Sequence, residues 1–174
     1  MTFEKGGTFI SLGNAKQKFT RLLNYCVQLE SILPRPIIVQ HGNTDFSAQG
    51  FECFHFLPAD EYVEMIKASR VVILHAGAGS IINSIKSGKK PIVIARISEN
   101  NEHINNHQVE LAARLADDGY VYSVSNITDL KIIIDKILYE EGNIPRSSKS
   151  LIYRLIEISL NKIDKNLNKS LIKN

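Results

Sequence analysis

The chain has 174 residues, 44% of them hydrophobic and 22% charged, with a formal net charge of +3 at pH 7; this supports one sizeable core, excludes a pair of ordinary α/β domains and a disordered chain, and is too little charge for a general nucleic-acid binder. No stretch approaches the roughly 18 apolar residues of a membrane span, and Met1 to Gly7 do not read as a signal peptide. Two cysteines, Cys26 and Cys53, without CxxC or His-rich spacing, argue against a disulfide framework and against a zinc site, and place the chain in a reduced, cytoplasmic setting.

Short β-branched runs alternate with longer stretches of helical period, the pattern of a parallel sheet flanked by helices. Residues 8–12 read as a first strand closed by Gly13-Asn14, and 16–33 as a helix with apolar positions at Phe19, Leu22, Leu23, Cys26, Val27, Leu29 and Leu33. Residues 36–39 form a second strand ending in Gln40-His41-Gly42. A weaker third strand covers 51–56, and Asp60 is expected to cap a short helix through Ala68. Residues 71–74 are a strand, 75–80 a glycine-rich turn, and 81–87 a helix stopped by Gly88. Residues 91–95 are a strand, 96–103 a polar loop, 104–118 a helix ending at Gly119, 120–124 the last strand, and 126–140 and 147–167 helices. The fold class is α/β, a Rossmann-like parallel sheet of about six strands. The domain spans 1–145, and 146–174 is a basic amphipathic helix that packs on the domain or on a partner.

That last segment concentrates the charge. Residues 145–174 carry seven Lys/Arg against Glu157 and Asp164, a local +5, which leaves the remainder near −2. Leu151, Ile152, Leu155, Ile156, Ile158, Leu160, Ile163 and Leu167 form a broad apolar stripe, while Lys162, Lys165, Lys169 and Lys173 suit anionic lipid headgroups.

Ligands of parallel sheets bind beyond the strand C-terminal ends. Gly13-Asn14, Gln40-His41-Gly42, residues 75–80 and residues 96–103 all lie at such ends and are expected to converge on one rim. In His75-Ala76-Gly77-Ala78-Gly79-Ser80, two glycines permit close backbone approach, and the helix start offers free N–H groups and positive dipole to an anion. Ser80 either donates to a phosphate or merely caps the helix. Gly77-Ala78-Gly79 opens a GxGxxG, but Ile82 holds the sixth position, so the dinucleotide fingerprint is incomplete; a GxxxxGK[ST] loop is missing too. The second cluster, Glu102-His103-Ile104-Asn105-Asn106-His107-Gln108, is rich in neutral donors and acceptors suited to sugar or ribose hydroxyls, or else is a solvated helix start. His103 and His107, four apart, could share a helix face; without a good third ligand a metal is not expected.

Taken with Gly88-Lys89-Lys90-Pro91-Ile92-Val93-Ile94, these two clusters resemble the C-terminal domain of glycosyltransferase family 28, over roughly residues 8–140, and above all its stand-alone donor-binding subunits. The resemblance implies the C-terminal half of a GT-B glycosyltransferase and a UDP-sugar donor as substrate, with no cofactor. It implies that Gly77, Gly79 and Ser80, with Ala78 and His75 beside them, hold the diphosphate. His107 and Gln108 would touch the sugar, with Glu102 nearby, and Gly13 and Asn14 would border the donor. Asn83 stands where an acidic residue commonly holds the ribose, and an amide binds hydroxyls less strongly than a carboxylate. The acceptor domain of such enzymes lies N-terminal, and this sequence opens at the donor domain's first strand. A membrane-anchored acceptor-binding partner subunit and a lipid-linked saccharide acceptor are therefore expected, with the chain peripheral at the inner membrane face. The expected reaction is inverting hexosyl transfer, helped by the helix start and by His75 or Arg96 at the departing UDP. No catalytic base is assigned; His75, His103 and His107 are candidates. The alternatives are a non-catalytic sugar-nucleotide-binding scaffold and a sugar-nucleotide epimerase.

Overall fold

The computed structural model describes residues 4–140. Six short strands form one sheet: β1 (Thr8–Ser11), β2 (Ile37–Gln40), β3 (Phe51–Phe54), β4 (Val71–His75), β5 (Ile92–Ile94) and β6 (Tyr122–Val124). Their order is β3-β2-β1-β4-β5-β6, and every pairing is parallel. Five helices make the crossovers and the close: α1 (Thr20–Gln28), α2 (Ala59–Ala68), α3 (Ala78–Lys86), α4 (His107–Asp117) and α5 (Leu130–Tyr139).

The strands are short and β-branched because both sheet faces are covered, so successive side chains enter different cores. Ile10, Leu12, Val71 and Ile73 pack with Leu22, Leu23 and Cys26 of α1 and with Leu130 and Ile134 of α5. Phe9, Ile38, Val72 and Leu74 point the other way, onto Tyr62, Met65 and Ile66 of α2. A third cluster joins Val93 to Ile81 and Ile85 of α3 and to Leu111, Ala112 and Leu115 of α4. The result is a three-layer α/β/α sandwich. Cys26 lies wholly within the first core, where burial pushes its thiol up to about 12, and both cysteines are free.

The strand order reverses direction between β1 and β4. In an open parallel sheet the two crossovers leaving that point run to opposite faces, and a crevice opens beyond the strand ends. The register sets Ser11 beside Gln40 on one side and beside Leu74 on the other. The loops after β1, β2 and β4 therefore meet at one place.

Several boundaries differ from the sequence expectation. α1 begins at Thr20, and a short 3-10 turn, Glu30–Ile32, follows it. Pro58 holds the cap position of α2, while Asp60 sits in its first turn without a capping bond. α3 begins at Ala78, so Ser80 is its third residue and not its cap. The helix expected over 104–118 starts only at His107, because Asn101 adopts a left-handed conformation (φ 55°) and Asn106 turns its side chain back to Ser98 N–H and Glu99. The expected helix over 126–140 is a 3-10 turn, Ile127–Asp129, leading into α5. The predicted helix at 147–167, with the proposed boundary at 146, lies outside the described residues.

Candidate functional site

A cavity of about 380 Å³ opens at the switch point, lined by Gly13, Asn14, Gln40, His75, Gly77, Gly79, Ser80 and Asn83. Three of the four polar clusters meet there; the loop 96–103 does not line it. The cavity floor is the start of α3. An α-helix leaves its first N–H groups without intrahelical partners, and here the amides of Ala78, Gly79 and Ser80 have no partner among the described residues. The Gly77 amide differs from the expectation: it donates back to the His75 carbonyl at 2.8 Å. Ser80 is half-buried and lines the cavity.

The glycines have a second purpose that the motif alone conceals. The imidazole of His75 is wedged between them. A Cβ at Gly13, which has φ +71°, would lie 2.3 Å from His75 Cε1, and one at Gly77 would lie 2.1 Å from Nε2. Neither position has room for a side chain. Gly79, by contrast, has nothing within 4 Å of such an atom. His75 is 8% exposed, and its Nδ1 lies 3.4 Å from the Ser11 carbonyl, which can only accept. Burial above all, then the positive charge of Arg96 and that of His103, pushes the imidazole down to about 4. The ring is therefore neutral near pH 7, with its proton on Nδ1 and a lone pair on Nε2 between the two glycines. It adds no positive charge to the cavity, and attraction for an anion there rests on the α3 amides and dipole.

Next to the cavity lies a polar region bonded mostly within the protein, where Arg21 and Glu102 also border a second cavity of about 610 Å³ with Lys18, Thr20, Asn100 and Asn101. Arg96 is 1% exposed and stacks over Phe19, 4.8 Å from the ring centroid. Its Nη1 donates to the carbonyls of Gln17 (2.7 Å) and Glu102 (3.2 Å), and its Nη2 to that of Leu12 (2.9 Å). Glu102, 4% exposed, receives Arg21 Nε and Nη2 on its two oxygens at 2.9 Å each, and the Ile97 amide at 3.1 Å. Such a knot fixes the loops after β1 and β5 relative to each other. Among the described residues, no group of three or more His, Cys, Asp or Glu side chains is placed to hold a metal ion.

A comparison of the sequence with known protein families matches residues 17–167 to the glycosyltransferase family 28 C-terminal domain. The chain belongs to that family. Among curated proteins it is 33% identical over 105 residues to the UDP-N-acetylglucosamine transferase subunit ALG13 of Mus musculus, and 28% identical over 121 residues to that of Yarrowia lipolytica. The matches cover 57% and 67% of this chain, but 9% of the mouse protein and 57% of the Yarrowia one. The chain thus spans well under two thirds of these relatives' own length. Among solved structures, the solution structure of ALG13 superposes with a TM-score of 0.59 at 21% identity, covering 87% of this chain and 95% of that one. A UDP-GlcNAc 2-epimerase from Methanocaldococcus jannaschii superposes at 0.61 and 12% identity, over 83% and 42%. These two superpositions speak to the fold, which is that of the C-terminal half of a GT-B glycosyltransferase.

Against that family pattern, the predicted donor residues divide. Gly13, Asn14, His75, Gly77, Gly79, Ser80 and Asn83 line the cavity, and Ala78 contributes its amide. Arg96 and Glu102 lie outside this lining: Arg96 donates to the carbonyls of Leu12, Gln17 and Glu102, and the Glu102 carboxylate accepts from Arg21 and the Ile97 amide. Gln108 accepts the Arg96 amide on Oε1 at 3.1 Å, which leaves Nε2 free to donate. His107 is half-exposed, with Nδ1 3.9 Å from Glu110. His103 is in the loop and not on α4, its Nδ1 3.0 Å from the Asn105 carbonyl, so it shares no helix face with His107. Gln40, from the Gln40-His41-Gly42 cluster expected at this rim, also lines the cavity; a polar residue closing an apolar strand, Ile37–Gln40, is the signal for it.

Proposed function

We propose that this chain is the donor-binding subunit of a UDP-sugar-dependent glycosyltransferase, with the diphosphate held at the start of α3. The observation that carries the reading is the set of unpartnered amides of Ala78, Gly79 and Ser80 at a helix start whose Gly79 and Ser80 line an open cavity at the switch point of the sheet. As UDP departs, those amides and the helix dipole stabilise the charge that develops on it. Asn83 lies one turn along α3 and takes the ribose hydroxyls; Gln108 Nε2 and His107 address the sugar. Arg96 and Glu102 act at a distance, by fixing the loop that carries them. N-acetylglucosamine is the favoured sugar, since the ALG13 proteins are named as UDP-N-acetylglucosamine transferase subunits. The transfer is an inverting one to a lipid-linked saccharide brought by a membrane-anchored partner that also supplies the base. No helix among the described residues is long and apolar enough to cross a membrane.

A thermal-shift panel of UDP-GlcNAc, UDP-Glc, UDP-Gal and UDP-GlcA tests the reading. A ligand at 100 times its dissociation constant raises stability by about 2.7 kcal/mol. UDP-GlcNAc is expected to give the largest shift. A flat response to every uridine nucleotide, with and without the acceptor-binding partner, would overturn donor binding. Binding without transfer by the reconstituted pair would instead favour a scaffold.

A further inference from the structure

The second cavity, of about 610 Å³, lies between the loops after β1 and β5, and all six of its lining residues are polar: Lys18, Thr20, Arg21, Asn100, Asn101 and Glu102. It shares no lining residue with the cavity at the start of α3. Its charges are matched within the protein, because Arg21 pairs with Glu102 and Lys18 with the exposed Asp45. A neutral ligand therefore suits it better than an anion. What stays open is hydrogen-bonding capacity of both kinds. Arg21 spends Nε and Nη2 on the Glu102 carboxylate and the Ala95 carbonyl, which leaves both protons of Nη1 to give. Glu102 Oε1 accepts from Arg21 alone and keeps a lone pair. The carboxamides of Asn100 and Asn101 make no hydrogen bond with any described residue, and each can donate and accept. The ion pair is preformed: Glu102 is buried, and the Arg21 guanidinium lies 5.3 Å from the centroid of the Phe19 ring.

We propose that this second cavity is a saccharide subsite for the acceptor, binding one sugar ring through its hydroxyls. The inference rests on the transferase reading above. A sugar hydroxyl gives one proton and accepts on two lone pairs, so neighbouring hydroxyls need donors and acceptors side by side. Arg21 Nη1, Glu102 Oε1 and two free carboxamides supply them, whereas a diphosphate offers acceptors only and gains nothing from Glu102. The position suits an acceptor as well. A sugar passes between two molecules only if both are held in adjoining sites. The loop after β1 borders both cavities, with Gly13 and Asn14 on one and Lys18 on the other. Arg96 ties the Leu12 carbonyl to those of Gln17 and Glu102, so the two cavities keep a fixed separation. Gln108 and His107, which address the donor sugar from the start of α4, lie outside this lining. A partner carrying the lipid-linked acceptor therefore presents its sugar to a surface that this chain has already shaped.

NMR titrations of the full ¹⁵N-labelled chain test this, using the methyl β-glycosides of N-acetylglucosamine, glucose and galactose, with UDP, UDP-GlcNAc and inorganic pyrophosphate as separate arms. At least one glycoside is expected to move the amides of residues 18–21 and 100–102 saturably, with a dissociation constant in the millimolar range, and to leave Ala78, Gly79 and Ser80 in place. Asn101→Gly keeps the left-handed backbone (φ 55°) and removes only the carboxamide; Asn100→Ala removes the other at an exposed position. Each is expected to weaken the glycoside roughly three- to tenfold and to leave UDP within about twofold. No response to any glycoside at about 100 mM, or glycoside affinity unchanged in both variants, would overturn the proposal. So would pyrophosphate moving the same amides at lower concentration, which makes the cavity an anion site. Displacement of the glycoside by UDP-GlcNAc but not by UDP would give the cavity to the donor sugar instead. The two readings fail separately. If UDP moves nothing, the donor reading falls and the acceptor role with it; if UDP binds at the start of α3 and no glycoside binds, only the acceptor subsite falls.

Discussion

Two polar regions sit side by side at the C-terminal edge of the sheet, and they behave in opposite ways. Around the start of α3, amides and hydroxyls face an open cavity and have few protein partners. Around Arg96, three carbonyls, a carboxylate and a second arginine close on one another, and both Arg96 and Glu102 are buried. Both regions are loops at strand ends, and both are rich in groups that bind sugars or phosphates. What separates them is where the bonds go: apart from Arg96 Nε, which is buried without a partner, the groups around Arg96 are bonded within the protein and maintain shape, whereas the amides at the start of α3 are open to a ligand.

The sharpest break of this comparison is Arg96→Met. It leaves the Leu12, Gln17 and Glu102 carbonyls without their donor, and chemical denaturation is expected to show a loss of about 3 kcal/mol or more. The surviving folded protein should bind UDP nearly as well as wild type. A stable Arg96→Met with abolished UDP binding would move Arg96 back into the site.

His75 stands between the two regions, and its pH dependence follows from its pKa of about 4 against an ordinary value of 6.5. The unfolded chain takes up the proton in that interval while the folded chain does not, so the His75 contribution is complete above about pH 6.5 and is lost as pH falls toward 4. The full loss is of order 3 kcal/mol. His75→Asn is expected to be less stable at pH 7 but to lose less between pH 6.5 and 4.5, as read by denaturant midpoints. Equal slopes would mean that the imidazole is accessible to protons in the native state.

The glycine pair gives a contrast within the cavity itself. Gly77→Ala drives a methyl into the His75 ring and is expected to cost about 1–3 kcal/mol and to weaken UDP binding. Gly79→Ala meets nothing and should be neutral or raise stability by up to about 1 kcal/mol. Reversal of that order in thermal melts would contradict the packing described for His75. The smallest stability effect is expected for Ser80→Ala, within about 0.5 kcal/mol of wild type, accompanied by a UDP affinity lower by roughly tenfold.

Much of this architecture was readable from residue patterns, and the failures have physical causes. The β-branched runs at 8–12, 36–39, 71–74 and 91–95 marked strands because strands covered on both faces must be apolar throughout. Gly88 and Gly119 marked helix ends, where both take a positive φ. The start of α4 was misplaced because the loop before it has helix-compatible composition; only the left-handed Asn101 and the inward turn of Asn106 break the run. The motif 75–80 pointed to an anion site, but not to the imidazole that requires Gly13 and Gly77, a contact between segments some sixty residues apart. Arg96 looked like a ligand donor because its partners, Phe19, Gln17 and Leu12, are distant in sequence.

The central claim is that the first amides of α3 receive the diphosphate. Titrating ¹⁵N-labelled chain with UDP while following its amide resonances tests this most directly. The largest displacements are expected at Ala78, Gly79 and Ser80, with Asn83 and Gly13 next and the Arg96–Glu102 loop little changed. Displacements centred on that loop, or none at saturating UDP, would contradict the account.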